Sequence, residues 1–418
     1  MTVANSAKVV VNAWMSIGNE GGVGSVVVKD NGSLTLPGGS SDLNICDVNA
    51  GIGELIMTNN AVVKANNLYV GKGSGSAGTM TQAGGRFSAA NGDGANVILG
   101  NGGGSSAIVN LNGGTMAARQ VSGIAGANST FNFNGGVLQA GNGAVNAGFM
   151  AAGLTLANVQ TGGAIIDTTT NSITIDQPLA GDPAGDGGLT KLGSGTLALN
   201  GVNSYTNTTL VSAGTLGGNG TFAGPMVVQA NATLSPGVGI GILTVNNNLT
   251  IAGNVAVDVN KSASPSNDLV VVTGTLSNTG IGSVKVSNLG PTLSAGDSFT
   301  LFSKPVVNGN AFSVPPSGGA FWTNKLAIDG SIQVLGLVPP PSFSPGGVKR
   351  LANGSISLTA IGTVGGTYKL WATTNLALTP IASTWTLLSS GTITASPFTI
   401  IDTTATNYAQ RFYIFSAP

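Results

Sequence analysis

Residues 187–216 read GGLTKLGSGTLALNGVNSYTNTTLVSAGTL, and the reading of this stretch decides the fold. Leu197 and Leu199 alternate with Thr196 and Ala198. Residues 208–211 are β-branched and apolar, and Thr215 and Leu216 open a third short run. Gly-Ser-Gly and Asn-Gly pairs punctuate the runs. Alternation with a period of two, broken by Gly and Asn, predicts strand, turn and strand rather than helix.

The same grammar recurs upstream. Turn pairs stand at Asn31-Gly32, Asn59-Asn60, Gly84-Gly85, Gly113-Gly114 and Gly135-Gly136. A strand candidate follows each, at 33–36, 61–64, 86–89, 115–118 and 137–140. Another precedes each, at 25–28, 54–58, 79–82, 107–111 and 130–133. A third recurs at 15–17, 43–45, 68–70 and 97–99. Three strands in a period of roughly 20 to 30 residues describe one coil of a β-solenoid. A single coil cannot bury its apolar face, but stacked coils share one core. Parallel pairing between coils satisfies their backbones. Phe131 and Phe133 are placed to stack inside. At about 4.8 Å per coil, the array predicts roughly thirteen coils. Further strands are expected at 154–156, 164–167 and 172–175, then at 226–228, 243–245, 249–251 and the strictly alternating 255–259.

The opening stretch resembles the autotransporter-associated β-strand repeat of large secreted bacterial proteins. The residues that carry the resemblance are Gly187, Gly188, Leu189, Thr190, Lys191, Gly193, Gly195, Thr196 and Leu197. Asn203, Tyr205, Thr209, Gly214, Thr215 and Leu216 extend it. Ser235-Pro236-Gly237, the segment 268–274, and Ala295, Gly296, Asp297 and Phe299 resemble later parts of the same passengers. The resemblance implies an extracellular, passenger-type parallel β-helix. It implies no activity, because adhesins, enzymes and fibres share this repeat. No tail of long alternating strands rich in interfacial aromatics follows. The membrane barrel of a true autotransporter is therefore not expected here, and self-translocation does not carry over.

At 338–345 the composition shifts to VPPPSFSP, four prolines in eight residues. Such a run reads as a stiff connector. Residues beyond it carry strand candidates at 355–358, 367–373, 385–389, 398–402 and 410–415, enough for a small sandwich. Gly366, Tyr368, Trp385, Asp402 and Gln410-Arg411-Phe412-Tyr413 resemble a module common at the ends of secreted bacterial repeat proteins. The expected chain is thus all-β. A right-handed parallel β-helix (β-solenoid) covers 1–338, with irregular coils over 1–186 and autotransporter-type repeats over 187–338. A Pro-rich linker at 339–347 leads to a C-terminal β-sandwich at 348–418.

Composition narrows the function classes. Charged residues make up 7% of 418, against roughly a quarter in typical domains. Basic and acidic residues number 15 each, so the net charge is zero. No basic run offers a nucleic-acid surface. No apolar stretch reaches the length of a membrane-spanning helix, so no membrane insertion is expected. The start, MTVANSAKVVVN, lacks the charged head and apolar run of a secretory signal. Secretion is therefore expected from the resemblance alone. The single cysteine, Cys46, reads as a buried small apolar residue.

The chain has no histidine. That removes Ser-His-Asp and Cys-His catalysis and imidazole metal sites. Paired carboxylates remain, since β-helices host polysaccharide lyases and hydrolases. Asp42, Asp47 and Glu54 are the acids placed to approach each other across a coil; the others, Asp93 among them, are scattered through turns. Asp182 and Asp186 bracket a loop that can offer oxygens to calcium, or are plain solvated turn carboxylates. Trp371 and Trp385 are either a sugar-stacking platform or core tryptophans of the sandwich. Lys8, Val9, Val10 and Val11 form a strand-like leading edge with one charge and no evident cap. The expectation is a secreted, non-enzymatic structural or adhesive rod without cofactors. Its expected partner is itself, head to tail, with surface glycans as a further partner class. The alternatives are a polysaccharide-degrading β-helix and a carbohydrate-binding surface module.

Overall fold

The computed structural model describes residues 1–38, 41–92, 94–124 and 126–416. Asp93 lies outside the described residues. The chain is 51% strand and 4% helix. It divides into two compact units, Met1–Val255 with Leu269–Ile281, and Ala256–Asp268 with Gly282–Pro418.

The first unit is a parallel β-solenoid. The solenoid has about eleven turns. The coils contribute strands to three ladders, with the single bridge residue Met150 standing in the third ladder between Val121 and Ile175. The first ladder begins Thr2–Val3, Val23–Val28, Ile52–Met57 and the start of Ala77–Ser88. It passes through Asn128–Phe133 and Leu156–Val159 to Leu179–Gly181. The second begins Lys8–Val10, Ser33–Thr35 and Val62–Lys64, and reaches Leu276–Asn278. The third begins Met15–Ile17, Asp42–Ile45, Asn67–Val70 and Ala95–Leu99. All of these pairings are parallel.

Turn chemistry explains why the coils stay in register. The corner between the first two ladders holds Asn59-Asn60, Gly84-Gly85 and Gly113-Gly114 in successive coils. Gly85 has φ +70°, and a Cβ there would stand 2.0 Å from the Ala61 carbonyl oxygen. Only glycine permits that approach. Two strands, Ala77–Ser88 and Ser106–Gly123, run straight through this corner.

Alternation then sorts side chains. The inward column of the second ladder is Leu34, Val63, Phe87, Met116, Leu138, Ile166, Lys191, Val211, Val228 and Ile251, in consecutive register. All ten are fully buried. In the first ladder Phe131 and Phe133 lie with ring centroids 4.7 Å apart. Side-chain amides stack outside: Asn132 Nδ2 donates to Asn110 Oδ1 at 2.8 Å, and Asn96 Nδ2 to Asn67 Oδ1 at 2.8 Å. Asn67 Nδ2 continues to Asp42 Oδ1 at 2.7 Å. These rows satisfy polar groups coil by coil without net charge.

The second unit departs from the expected coils. Ser298–Thr300, Ser331–Leu337 and Ala320–Lys325 form an antiparallel sheet, not further solenoid turns. The array is accordingly shorter than the sequence implied. Two antiparallel sheets follow: Ser342–Arg350, Ile356–Ile361 and Phe398–Asp402, then Thr386–Thr392, Thr367–Thr373 and Phe412–Ser416. Their apolar faces meet at Leu358, Ala360, Leu370 and Phe415, with Phe343, Tyr368 and Phe398 packed alongside. The segment 339–347, expected as a linker, already contains the first strand of this sandwich. Ser342 pairs with Ile361, and a register shift between Phe343 and Val348 accommodates Pro345.

Candidate functional site

The chemistry of the opening stretch converges on Lys191. Its strand, Leu189–Leu192, points Leu189 and Lys191 inward. The lysine thus occupies a core position, between Ile166 and Val211 in register. Its Nζ donates to Thr168 Oγ1 at 2.9 Å, Leu192 O at 2.9 Å, Gly193 O at 2.8 Å and Ala213 O at 3.0 Å. An ammonium has three protons, so four oxygens at these distances share them. The acceptors come from three successive coils. Gly214, with φ +66°, makes room, because a Cβ there would stand 2.8 Å from Nζ. Burial pushes the Lys191 pKa down to about 8, against the opposing charge of Asp167.

Asp186 organises the neighbouring corner. Oδ1 accepts from Gly188 N at 3.0 Å and Asn207 N at 2.9 Å. Oδ2 accepts from Thr206 N at 2.7 Å and Thr206 Oγ1 at 2.9 Å. Burial raises the pKa of this carboxyl, but those four donors outweigh it, and the net shift is downward. Both oxygens are therefore engaged by the protein. Asp182 turns elsewhere. Its Oδ1 accepts from Ala184 N at 2.9 Å and its Oδ2 from Asn158 Nδ2 at 2.7 Å. Asp182 and Asp186 bind separate parts of the chain and share no donor. Among the described residues no group of three or more Cys, Asp or Glu is placed to hold a metal ion.

The other expected sites fall as follows. Lys8–Val10 is the second-ladder strand of the first coil, paired with Ser33–Thr35, and Val11 N donates to Thr35 O at 3.0 Å. Val10 is 60% exposed. Asp42 accepts from Asn67, Asp47 pairs with Lys72 Nζ at 2.7 Å, and Glu54 stands in register with Ser25 and Thr79. No hydrogen bond or ion pair joins these three acids. Trp371 is buried and its indole N–H donates to Ser416 Oγ at 3.0 Å. Trp385 is half-buried and donates to Leu378 O at 2.9 Å. Of these two, Trp385 is the more exposed.

One cluster joins residues that the sequence named only as part of a module resemblance, without pairing them. Asp402 Oδ2 accepts from Arg411 Nη1 at 2.8 Å and Tyr413 OH at 3.0 Å. Oδ1 accepts from Thr404 N at 3.0 Å and Thr404 Oγ1 at 2.7 Å. Arg411 also stacks on the Tyr408 ring, 4.4 Å from its centroid. The pair is buried, and its bonds lock the end of one sandwich strand to the start of another.

Parallel coils, a lysine solvated inside them and corners built on Gly and Asn define a β-solenoid repeat. Residues 189–217 match the family model described as the passenger-associated-transport-repeat. The match covers Lys191 and its acceptors Leu192, Gly193 and Ala213, and leaves Thr168 outside. Together with the stacked coils, it fits an autotransporter passenger-like repeat protein. No curated protein and no solved structure matches the chain. A passenger repeat points to export toward the cell surface. Among the described residues no helix is long and apolar enough to cross a membrane.

Proposed function

We propose that the chain is an extracellular structural protein whose solenoid acts through stiffness, a neutral amide-rich surface and end-to-end contacts between copies. The observation that carries this reading is the state of the first coil. Thr2–Val3, Lys8–Val10 and Met15–Ile17 each have one partner strand among the described residues, in the second coil. A coil supplied by another copy would continue the same parallel register on their opposite edges. Charged residues are sparse, so little repulsion separates copies. A head-to-tail contact of this kind builds filaments unless its rotation closes a ring. Adhesion would follow from presenting the solenoid flanks at a surface. Catalysis is not part of this reading, because the acids are engaged singly.

Light scattering and electron microscopy of the purified chain test it. The unmodified protein is expected to associate with rising concentration. Val9→Pro with Val10→Lys is expected to abolish association, while Val348→Lys, on the sandwich, leaves it intact. A monodisperse monomer at high concentration overturns the assembly reading.

A further inference from the structure

The net charge of zero divides unequally between the two units. By side chains, the first holds seven bases and ten acids, and the second holds eight bases and five acids. The first therefore carries a surplus of three negative charges and the second a surplus of three positive ones. In the second unit, residues 256–268 and 282–338 hold four charges of each sign. Its surplus thus falls on the sandwich, where Lys349, Arg350, Lys369 and Arg411 stand against Asp402 alone.

The fold leaves both surpluses uncompensated. Lys349 and Arg350 are exposed at the end of Ser342–Arg350, opposite Ser357 and Ile356. Lys369 is half-buried, opposite Ser390 and Ser416. None of the three stands opposite an acid in its sheet, and Asp402 is spent on Arg411. In the solenoid, Asp47 is the one acid in an ion pair among the described residues, with Lys72. The charges buried there, again among the described residues, are Lys191 and Asp186, one of each sign, so the acidic surplus lies at the surface. The first two coils follow the sign of their unit. Residues 1–51 hold Glu20, Asp30, Asp42 and Asp47 against Lys8 and Lys29.

We propose that this segregation of charge sets the polarity of association: the basic sandwich of one copy meets the acidic solenoid of the next. The inference rests on the end-to-end reading above and adds which parts meet. A two-fold contact sets a surface against its own copy, so a charged surface there meets its own sign. Like charges brought together are rejected, while unlike charges attract and orient the partners as they approach. Solenoid-to-solenoid and sandwich-to-sandwich pairings are therefore disfavoured. The head-to-tail contact is the arrangement in which the signs differ. Its attraction is screened by salt, because the reach of an exposed charge falls from about 20 Å at about 0.02 M to about 4 Å at about 0.5 M.

Light scattering and sedimentation of the full chain test the proposal. Association is expected to weaken at least about fivefold between about 0.02 M and about 0.5 M sodium chloride. Combined Lys349→Glu, Arg350→Glu and Lys369→Glu makes both units acidic and is expected to weaken association at least about tenfold at low salt. Adding Glu20→Lys and Glu54→Lys to that chain turns the solenoid basic, brings back opposite signs and is expected to restore association. Val348→Lys adds one more cation to a sandwich that is already basic and leaves association intact. Circular dichroism establishes that each variant keeps its strand content. Three results overturn the charge polarity and leave the end-to-end reading in place: association that holds or grows as salt rises, equal association by the reversed sandwich, and failure of the swapped chain to regain it. An unmodified chain that stays monomeric overturns both.

Discussion

Lys191 Nζ and the carbonyl oxygen of Ala213 lie 3.0 Å apart across 22 residues of sequence. The bond joins two coils through the interior of the solenoid, where every other member of the column is apolar. A buried ammonium is unfavourable unless its protons are all satisfied. Here the corner backbone turns its oxygens inward to meet it. The lysine costs desolvation free energy and in return fixes the positions of carbonyls in neighbouring coils.

The first prediction concerns alkaline pH. Below about pH 8 the amine is protonated in both the folded and the unfolded chain, and the desolvation cost is fully present. From about pH 8 to 10.5 the unfolded chain holds the proton more tightly, so stability rises with pH. Lys191→Met is expected to remove that rise, worth about 1–3 kcal/mol. At pH 7 the same variant loses about 2–4 kcal/mol, because the corner oxygens lose their donor. Urea midpoints of both proteins at pH 7 and pH 10 check this. An unchanged slope in the variant would exclude Lys191 as its source.

The acid limb tests Asp186. Its lowered pKa means that its contribution is complete above about pH 4 and disappears as pH falls through the folded value. Asp186→Asn places an NH2 group against backbone donors and is expected to cost about 2–4 kcal/mol at neutral pH. The slope of stability against pH below 4 should shrink without vanishing, since Asp182, Asp297 and Asp329 are also shifted down. Denaturation midpoints from pH 2 to 7 give both numbers.

For the sandwich, Asp402→Asn or Arg411→Met leaves one buried charge unpaired and is expected to cost about 3–5 kcal/mol. Tyr413→Phe removes one bond and costs about 1 kcal/mol. Burial and the Asp402 carboxylate push the Tyr413 pKa up to about 12. Additivity is expected to fail in the Asp402→Asn, Arg411→Met double variant, which should lose less than the sum of its parts. Tryptophan fluorescence during urea titration is the readout.

Thiol chemistry offers a fourth check. Cys46 is fully buried, and burial pushes its pKa up to about 11, with its Sγ donating to Ala77 O at 3.2 Å. A thiol reagent at pH 8 should leave the native chain unmodified and react with one equivalent in urea. Rapid native labelling would contradict the packing of that corner.

Much of this was legible in the residues, because period-two alternation and Gly/Asn corners are local signals. Leu189–Leu192 forms a further strand that the alternation does not mark, while the strands Thr196–Leu199, Thr209–Val211 and Gly214–Gly218 stand where the opening stretch placed them. So does the Phe131–Phe133 stack. The antiparallel sheet at Ala320–Lys325 and Ser331–Leu337 was not legible, since alternation is the same in a coil and in a hairpin. The prolines of 339–347 concealed a strand, because an edge tolerates proline where a bulge absorbs it. Lys191 was recognised as a motif residue, but its burial followed from the alternation as well: with Leu189 inside, the residue two positions on must also be inside. The Asp402–Arg411 pair needed three-dimensional closure, and no spacing announces it.

The clamp at Lys191 also bears on how the solenoid yields to force. A chain pulled from one end peels coil by coil, and each coil gives way once its bonds to a single neighbour rupture. At Lys191 the rule changes, since Thr168, Gly193 and Ala213 hang on one nitrogen in three coils. Peeling must there break contacts in several coils together. That position is a mechanical checkpoint, at which a tug that unravels ordinary turns meets a taller barrier and stalls.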